Sequence, residues 1–183
     1  MAAAALVTGA GKRIGAAIAA ALATEGFAVA LHHRASGAEA GRLASELRAK
    51  GARAVALAAD LEDPRAVAGL VPAARAALGP LTLLVNSASV FEPDAAGDDD
   101  PATWRRHFAV NLEAPVALSR AFAAQAPDGG GASIVNLLDQ KVLRLDPTHF
   151  SYTLSKAALW TATQTMAQAF APRVRVNAIA PGP

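Results

Sequence analysis

Short apolar runs alternate with longer stretches of helical period from one end of the chain to the other, and no other feature limits the possible folds as strongly. Residues 3–8, 27–33, 53–59, 81–86, 132–138 and 174–179 read as strands, short and mostly apolar, as strands covered on both faces are. Between them, residues 13–25, 37–49, 64–78, 101–125 and 151–170 carry the helical pattern. Such alternation predicts βαβ units, hence an α/β chain with a doubly wound, mostly parallel sheet and helices on both faces. Asp63-Pro64 and Asp100-Pro101 each set a capping carboxylate before a proline at the first helical position. Asp98, Asp99 and Asp100 together could be taken for a metal site, but acids at a helix N-terminus offset the helix dipole without an ion. Capping is the reading kept, and no metal is expected.

The 183 residues are 53% apolar and 17% charged, which suffices for one large core, so a single domain over 1–183 is expected and a disordered chain is excluded. Without cysteine there are no disulfides or thiolate metal sites, which suits a reducing cytoplasm. Lys and Arg number 17 against 15 Asp and Glu, with no long basic run, so nucleic acid is not an expected partner. The apolar N-terminal stretch has no positive residue before it and ends at Thr8, short of a secretory core. Nowhere do about 18 apolar residues run without a charge, Gly or Pro, so neither a signal peptide nor a membrane span is expected.

Thr8-Gly9-Ala10-Gly11-Lys12-Arg13-Ile14-Gly15 follows the first strand and opens the first helix. Glycines let the backbone approach a pyrophosphate, and the helix N-terminus presents free amides and a positive dipole to it. A plain strand-to-helix turn would also read this way, but the position between first strand and first helix favours the dinucleotide reading. A Walker-type loop is excluded because no Gly-Lys-Ser/Thr follows at the required spacing. An NAD site places an acid at the end of the second strand, whereas Leu31-His32-His33-Arg34-Ala35-Ser36 has none before Glu39. Arg34 with a nearby hydroxyl suits a 2′-phosphate, so NADP(H) is the expected cofactor. His32 and His33 are strand neighbours that point to opposite faces and do not easily share an ion. Asp60, ending the third strand, is placed either to bind an adenine amino group or to cap a turn.

In Ser151-Tyr152-Thr153-Leu154-Ser155-Lys156, Tyr152 and Lys156 stand one helical turn apart on one face. A phenol titrates near pH 10, so acid/base work near neutrality requires its ionised form to be favoured, and a neighbouring ammonium does that. Asp139 lies at the end of the fifth strand, and Asn111 in the long helix before it. Ligands of open α/β sheets bind beyond those strand ends.

Taken in order, the turn from Thr8 to Gly15, Asn86-Ser87-Ala88-Ser89, Asn111, Tyr152 with Lys156, and Arg175-Val176-Asn177-Ala178-Ile179-Ala180-Pro181-Gly182 resemble the short-chain dehydrogenase/reductase family over the whole chain. The resemblance implies a Rossmann-type fold in which Tyr152 donates the proton, Lys156 binds the nicotinamide ribose and lowers the phenol's pKa, and Asn111 holds a relay water. Asn86 would secure the central strand beside the cofactor. Cofactor contacts are implied at Gly9, Arg13, Ile14 and Gly15 in the turn, and at His33, Arg34 and Ser36 after the second strand. Asp60, Leu61 and Ala88 follow, with Pro181 and Gly182 at the end of the chain.

Three departures occur together: Arg13 replaces the middle glycine of the turn, Ser87-Ala88-Ser89 replaces the usual Asn-Ala-Gly, and Asp139 stands where most members carry Ser. This combination resembles the pteridine reductases and dihydromonapterin reductases. In that subgroup Arg13 would touch cofactor phosphate and pterin, Ser89 would contact both, and Phe91 would stack on the pterin unless it is an ordinary core aromatic. An ionised Asp139 would repel a developing alkoxide, which makes a ketone a poor substrate. Reduction of C=N instead needs a proton on nitrogen, which an Asp139–Tyr152 pair can give. The expected function is therefore NADPH-dependent reduction of a small pterin-like substrate. A generic carbonyl reductase is the first alternative, and a non-catalytic NADP-binding sensor, with no need of Tyr152 and Lys156, is the second. Family members continue past Pro183 into a substrate loop and a last strand, so part of the site is expected to be missing here. Helices 101–125 and 151–170 resemble the faces used for family dimers and tetramers, with Trp104 and Trp160 as contacts unless either is core, so a homo-oligomer is expected.

Overall fold

The computed structural model describes residues 3–98, 100–127 and 129–182. Its strands are β1 (Ala4–Val7), β2 (Ala28–His33), β3 (Ala54–Ala58), β4 (Leu81–Asn86), β5 (Ala132–Leu137) and β6 (Val174–Ile179). They form one sheet in the order β3-β2-β1-β4-β5-β6, and every pairing is parallel. The chain steps outward from β1 to β3, then returns past β1 and steps the other way through β4, β5 and β6. Where the direction reverses, between β1 and β4, loops leaving the carboxyl ends diverge and open a crevice.

The helices are α1 (Arg13–Thr24), α2 (Gly37–Ala49), α3 (Pro64–Leu78), α4 (Pro101–Phe108), α5 (Ala114–Gln125) and α6 (Phe150–Phe170). Ala4, Ala5, Leu6 and Val7 of β1 are all fully buried, because successive side chains face opposite helix layers. Leu6, Ala30 and Ile134 pack with α3, α5 and α6 through Leu70, Phe122 and Met166. Val7, Leu31 and Val85 pack on the other face with Ala19 of α1 and Leu47 of α2. Among the described residues no helix is long and apolar enough to cross a membrane.

Both expected caps form. Asp63 accepts from Arg65 N at 2.8 Å, and Asp100 accepts from Ala102 N at 3.0 Å and from the Thr103 hydroxyl at 2.7 Å. Asp98 closes its own turn by accepting from Ala95 N at 2.7 Å, while Asp99 lies outside the described residues. Trp104 and Trp160 are 42% and 37% exposed, so neither is core.

The expected helix 101–125 forms without interruption but is not uniform. It is α4, one π-helical turn over Ala109–Glu113, and α5. Pro115 has no N–H to give to Asn111, and its ring crowds that carbonyl; a wider turn relieves the crowding without ending the helix. The π turn carries Asn111 inward, where it is fully buried.

Candidate active site

The carboxyl ends of the strands open into a cleft of about 700 Å³ whose wall begins at the glycine turn. Thr8 Oγ1 accepts from Ser87 N at 2.9 Å and Ala88 N at 3.0 Å, which sews the turn to the end of β4. Gly9 has φ 66°, and a Cβ there would stand 2.8 Å from Ala88 Cα. A Cβ on Gly15 would strike the Gly9 carbonyl, so α1 can start this close to the strand only without a side chain. Arg13 is a non-glycine residue at φ 52°, a conformation that is held only when the surroundings enforce it. Lys12, at the N-cap of α1, makes no side-chain capping bond, so that end presents uncapped amides to the cleft. Turn and helix end thus fit a dinucleotide pyrophosphate.

Arg34, Ser36, Asp60 and the buried Leu61 line the cleft beyond α1. Arg34 pairs with Glu62 at 2.9 Å. Asp60 Oδ1 accepts from Glu62 N at 3.0 Å, which is the turn role, although the residue also faces the cleft. His33 turns its ring toward Gly37, while strand alternation brings its neighbour His32, which was not expected there, into the cleft wall. Gly9 N donates to His32 Nδ1 at 3.2 Å, so the proton of this neutral ring sits on Nε2, 3.1 Å from the Ala59 carbonyl. Burial lowers the His32 pKa.

Across the cleft, the Tyr152 hydroxyl donates to Asp139 Oδ2 at 2.8 Å, and Asp139 Oδ1 accepts from Lys141 N at 2.9 Å, fixing the carboxylate on a short 3₁₀ turn after β5. Lys156 is 2% exposed and donates from Nζ to the Leu137 carbonyl at 2.8 Å. Burial lowers its pKa to about 8, with Asp139 opposing. The expectation that Lys156 depresses the phenol is also corrected. Tyr152 is pushed above the ordinary phenol value by burial, then by its hydrogen bond to Asp139 and the charge there. The phenol is therefore a protonated donor across the neutral range.

Phe91 is 54% exposed in the cleft wall, which excludes the core alternative; its ring meets Tyr152 edge-on at 4.7 Å and stacks on His149 at 4.1 Å. Arg13, Ser89, Pro181 and Gly182 line the same cleft. Asn86 and Asn111 stand behind the wall rather than in it. Asn86 Nδ2 donates to Asn136 Oδ1 at 2.8 Å, tying β4 to β5. Asn111 Oδ1 accepts from Val90 N at 2.8 Å and Ser89 Oγ at 3.1 Å, and its Nδ2 donates to Val90 O at 3.0 Å and Ser155 Oγ at 3.1 Å. A second cleft of about 520 Å³ lies at the opposite ends of the strands, near Gly26 and Gly51, where α1 and α2 end.

The model of the short chain dehydrogenase family matches residues 3–183. The chain belongs to the short-chain dehydrogenase family. It is 37% identical over 179 residues to an uncharacterized oxidoreductase of Methylorubrum extorquens, covering 97% of this chain and 71% of that protein. It is 35% identical over 179 residues to the D-threitol dehydrogenase of Mycolicibacterium smegmatis, covering 97% of this chain and 68% of that one. Among solved structures, the FolM alternative dihydrofolate reductase 1 of Brucella canis, complexed with NADP, shares 49% identity and superposes with a TM-score of 0.95 over 98% of this chain and 71% of that one. In this short-chain dehydrogenase, sequence reasoning missed Lys12, Val110 and Leu138 in the cleft wall, together with His149 against Phe91. His32 was within reach, because the alternation that separated the two histidines also says that only one of them faces inward.

Proposed function

We propose that this chain is an NADPH-dependent reductase of pterin-like C=N substrates, the dihydropterin and dihydrofolate class. The observation that carries the reading is the 2.8 Å bond from the Tyr152 hydroxyl to Asp139, a carboxylate where alkoxide stabilisation would call for a neutral donor. The likeness to an alternative dihydrofolate reductase complexed with NADP supports it.

Gly9, Gly15 and the first amides of α1 would hold the pyrophosphate, Arg34 and Ser36 the 2′-phosphate, and Lys156 the nicotinamide ribose; Ala88 and Ile14 would flank the dinucleotide. When bound, NADPH supplies a hydride. Phe91 offers a flat face to a planar ring, with Arg13 and Ser89 at its polar edge. A proton then passes from the Asp139–Tyr152 pair to the ring nitrogen. The Tyr152 hydroxyl is the donor of the pair, and Asp139 accepts from it. The ammonium of Lys156 offsets the negative charge that the pair retains.

The likeness to D-threitol dehydrogenase favours a second reading, a reductase of simple carbonyl compounds. NADPH oxidation measured in parallel with a dihydropterin, dihydrofolate and small ketones separates the two. The wild type should prefer the pterins, and Asp139→Ser should lower pterin kcat/KM by about 10²-fold or more, the usual contribution of an acid/base group. A wild type that prefers ketones, or an Asp139→Ser variant with unchanged pterin kinetics, leaves the carbonyl reading in its place.

A further inference from the structure

His107 is fully buried on α4 and no step above uses it. Its Nε2 lies 3.1 Å from Glu92 N, and a backbone N–H can only donate, so Nε2 carries a lone pair. Its Nδ1 lies 2.6 Å from Ser151 Oγ. Burial holds the ring neutral, His149 and Arg106 add to that, and Asp94 and Glu92 oppose it. The remaining proton therefore sits on Nδ1 and is donated to Ser151.

One helical turn further on, Asn111 repeats the arrangement. It accepts from Val90 N and donates to Ser155 Oγ, so 107 and 111 grip 92 and 90 on one side and 151 and 155 on the other. Residues 90 and 92 are held by their backbone, and Phe91 between them lies in the cleft wall against Tyr152. Asp94 completes the seam: its carboxylate accepts from Ser151 N at 3.1 Å, and its carbonyl from Phe150 N at 3.1 Å.

We propose that His107, fixed as the Nδ1-protonated tautomer, is a positioning residue that locks the loop bearing Phe91 to the first turn of the helix bearing Tyr152, and so sets the width of the slot for a planar substrate. The width of that slot matters through the substrate reading given above, on which this inference rests. The glycine turn and Arg34 lie on the other side of the cleft, so His107 should govern substrate KM without governing cofactor affinity.

The test combines the nitrogen NMR spectrum of the wild-type imidazoles, NADPH Kd by fluorescence, and KM against kcat for His107→Leu, His107→Gln and Ser151→Ala. The spectrum should show His107 protonated on Nδ1. His107→Leu should raise KM about tenfold, the order expected when a buried N–H loses its acceptor, with NADPH Kd within twofold of wild type. His107→Gln, which keeps an acceptor for Glu92 N, should recover most of the loss. Should His107→Leu fail to fold, Ser151→Ala removes the other partner without emptying the core and should also raise KM. An Nε2-protonated ring, unchanged KM in the variants that fold, or NADPH Kd rising in step with KM overturns the inference. If the wild type reduces ketones and no pterin, the substrate reading fails, while the ring spectrum and KM for the accepted ketone still decide the role of His107.

Discussion

Tyr152 and Lys156 have opposite shifts chiefly because both charged forms are costly in a buried site, and Asp139 adds to the rise at Tyr152. Burial raises the pKa of a group that ionises to an anion and lowers that of a group that ionises to a cation. The phenol therefore keeps its proton throughout the neutral range, while Lys156 loses its charge as pH rises through about 8. For reduction the sign follows directly: kcat/KM should hold below about 8 and fall above it, because the charge that would hold the ribose and offset the spent pair disappears. Tyr152→Phe should lose about 10²–10⁴-fold in turnover. Its NADPH Kd should still weaken through the same alkaline limb, since Lys156 remains. A Tyr152→Phe variant whose binding is flat from pH 7 to about 9.5 would assign the limb elsewhere. Sequence spacing places Tyr152 and Lys156 on one face, but it cannot give the sign of the phenol's shift, which depends on burial and on Asp139 thirteen residues away.

At the scale of elements, the strands were legible from short apolar runs, although they are covered differently: β1 is buried at every residue, whereas β6 buries Val174 and Val176 and exposes Arg175 and Asn177. The π turn between α4 and α5 was not, because a proline inside a helical pattern does not settle the outcome: Pro72 sits within α3 without widening it, whereas Pro115 follows a π turn. That turn sets the direction of Asn111, so the least legible element is also one that positions the cleft wall. Legible glycines divide the same way. Gly15 meets the Gly9 carbonyl, whereas a Cβ at Gly41 in α2 meets nothing within 4 Å. Gly15→Ala should cost roughly 1–3 kcal/mol of stability through overpacking and should weaken NADPH binding as the turn is displaced. Gly41→Ala should stabilise by about 0.5–1 kcal/mol by restricting the unfolded chain, with cofactor affinity untouched. Denaturant midpoints and NADPH titrations of the two variants check the contrast, and effects of equal sign would refute it.

The whole molecule joins two half-sheets at β1 and β4, and the cleft takes residues from both: Gly9, Arg34 and Asp60 from one, Asp139, Tyr152 and Lys156 from the other. A ligand that spans them binds only the folded chain, so its binding free energy adds to stability. At a concentration of 100 Kd this is about 2.7 kcal/mol, which for a chain of this size raises Tm by roughly 5–10 °C. A dinucleotide lacking the 2′-phosphate should stabilise far less at equal concentration. If it binds about 100-fold more weakly, the gain falls to about 0.4 kcal/mol, near 1 °C. Arg34 is the residue on which that difference should rest, because its guanidinium lies at the cleft rim with Glu62 as its partner, where a phosphate can take over the charge. Arg34→Gln removes the cation without adding an acid beside Glu62, so the ligand-free Tm should change little. Thermal melts of wild type and Arg34→Gln with NADPH and with NADH make the measurement. The wild type should show a large shift with NADPH and a small one with NADH, and the variant should show two small shifts. Equal NADPH shifts in both proteins would remove Arg34 from cofactor selection.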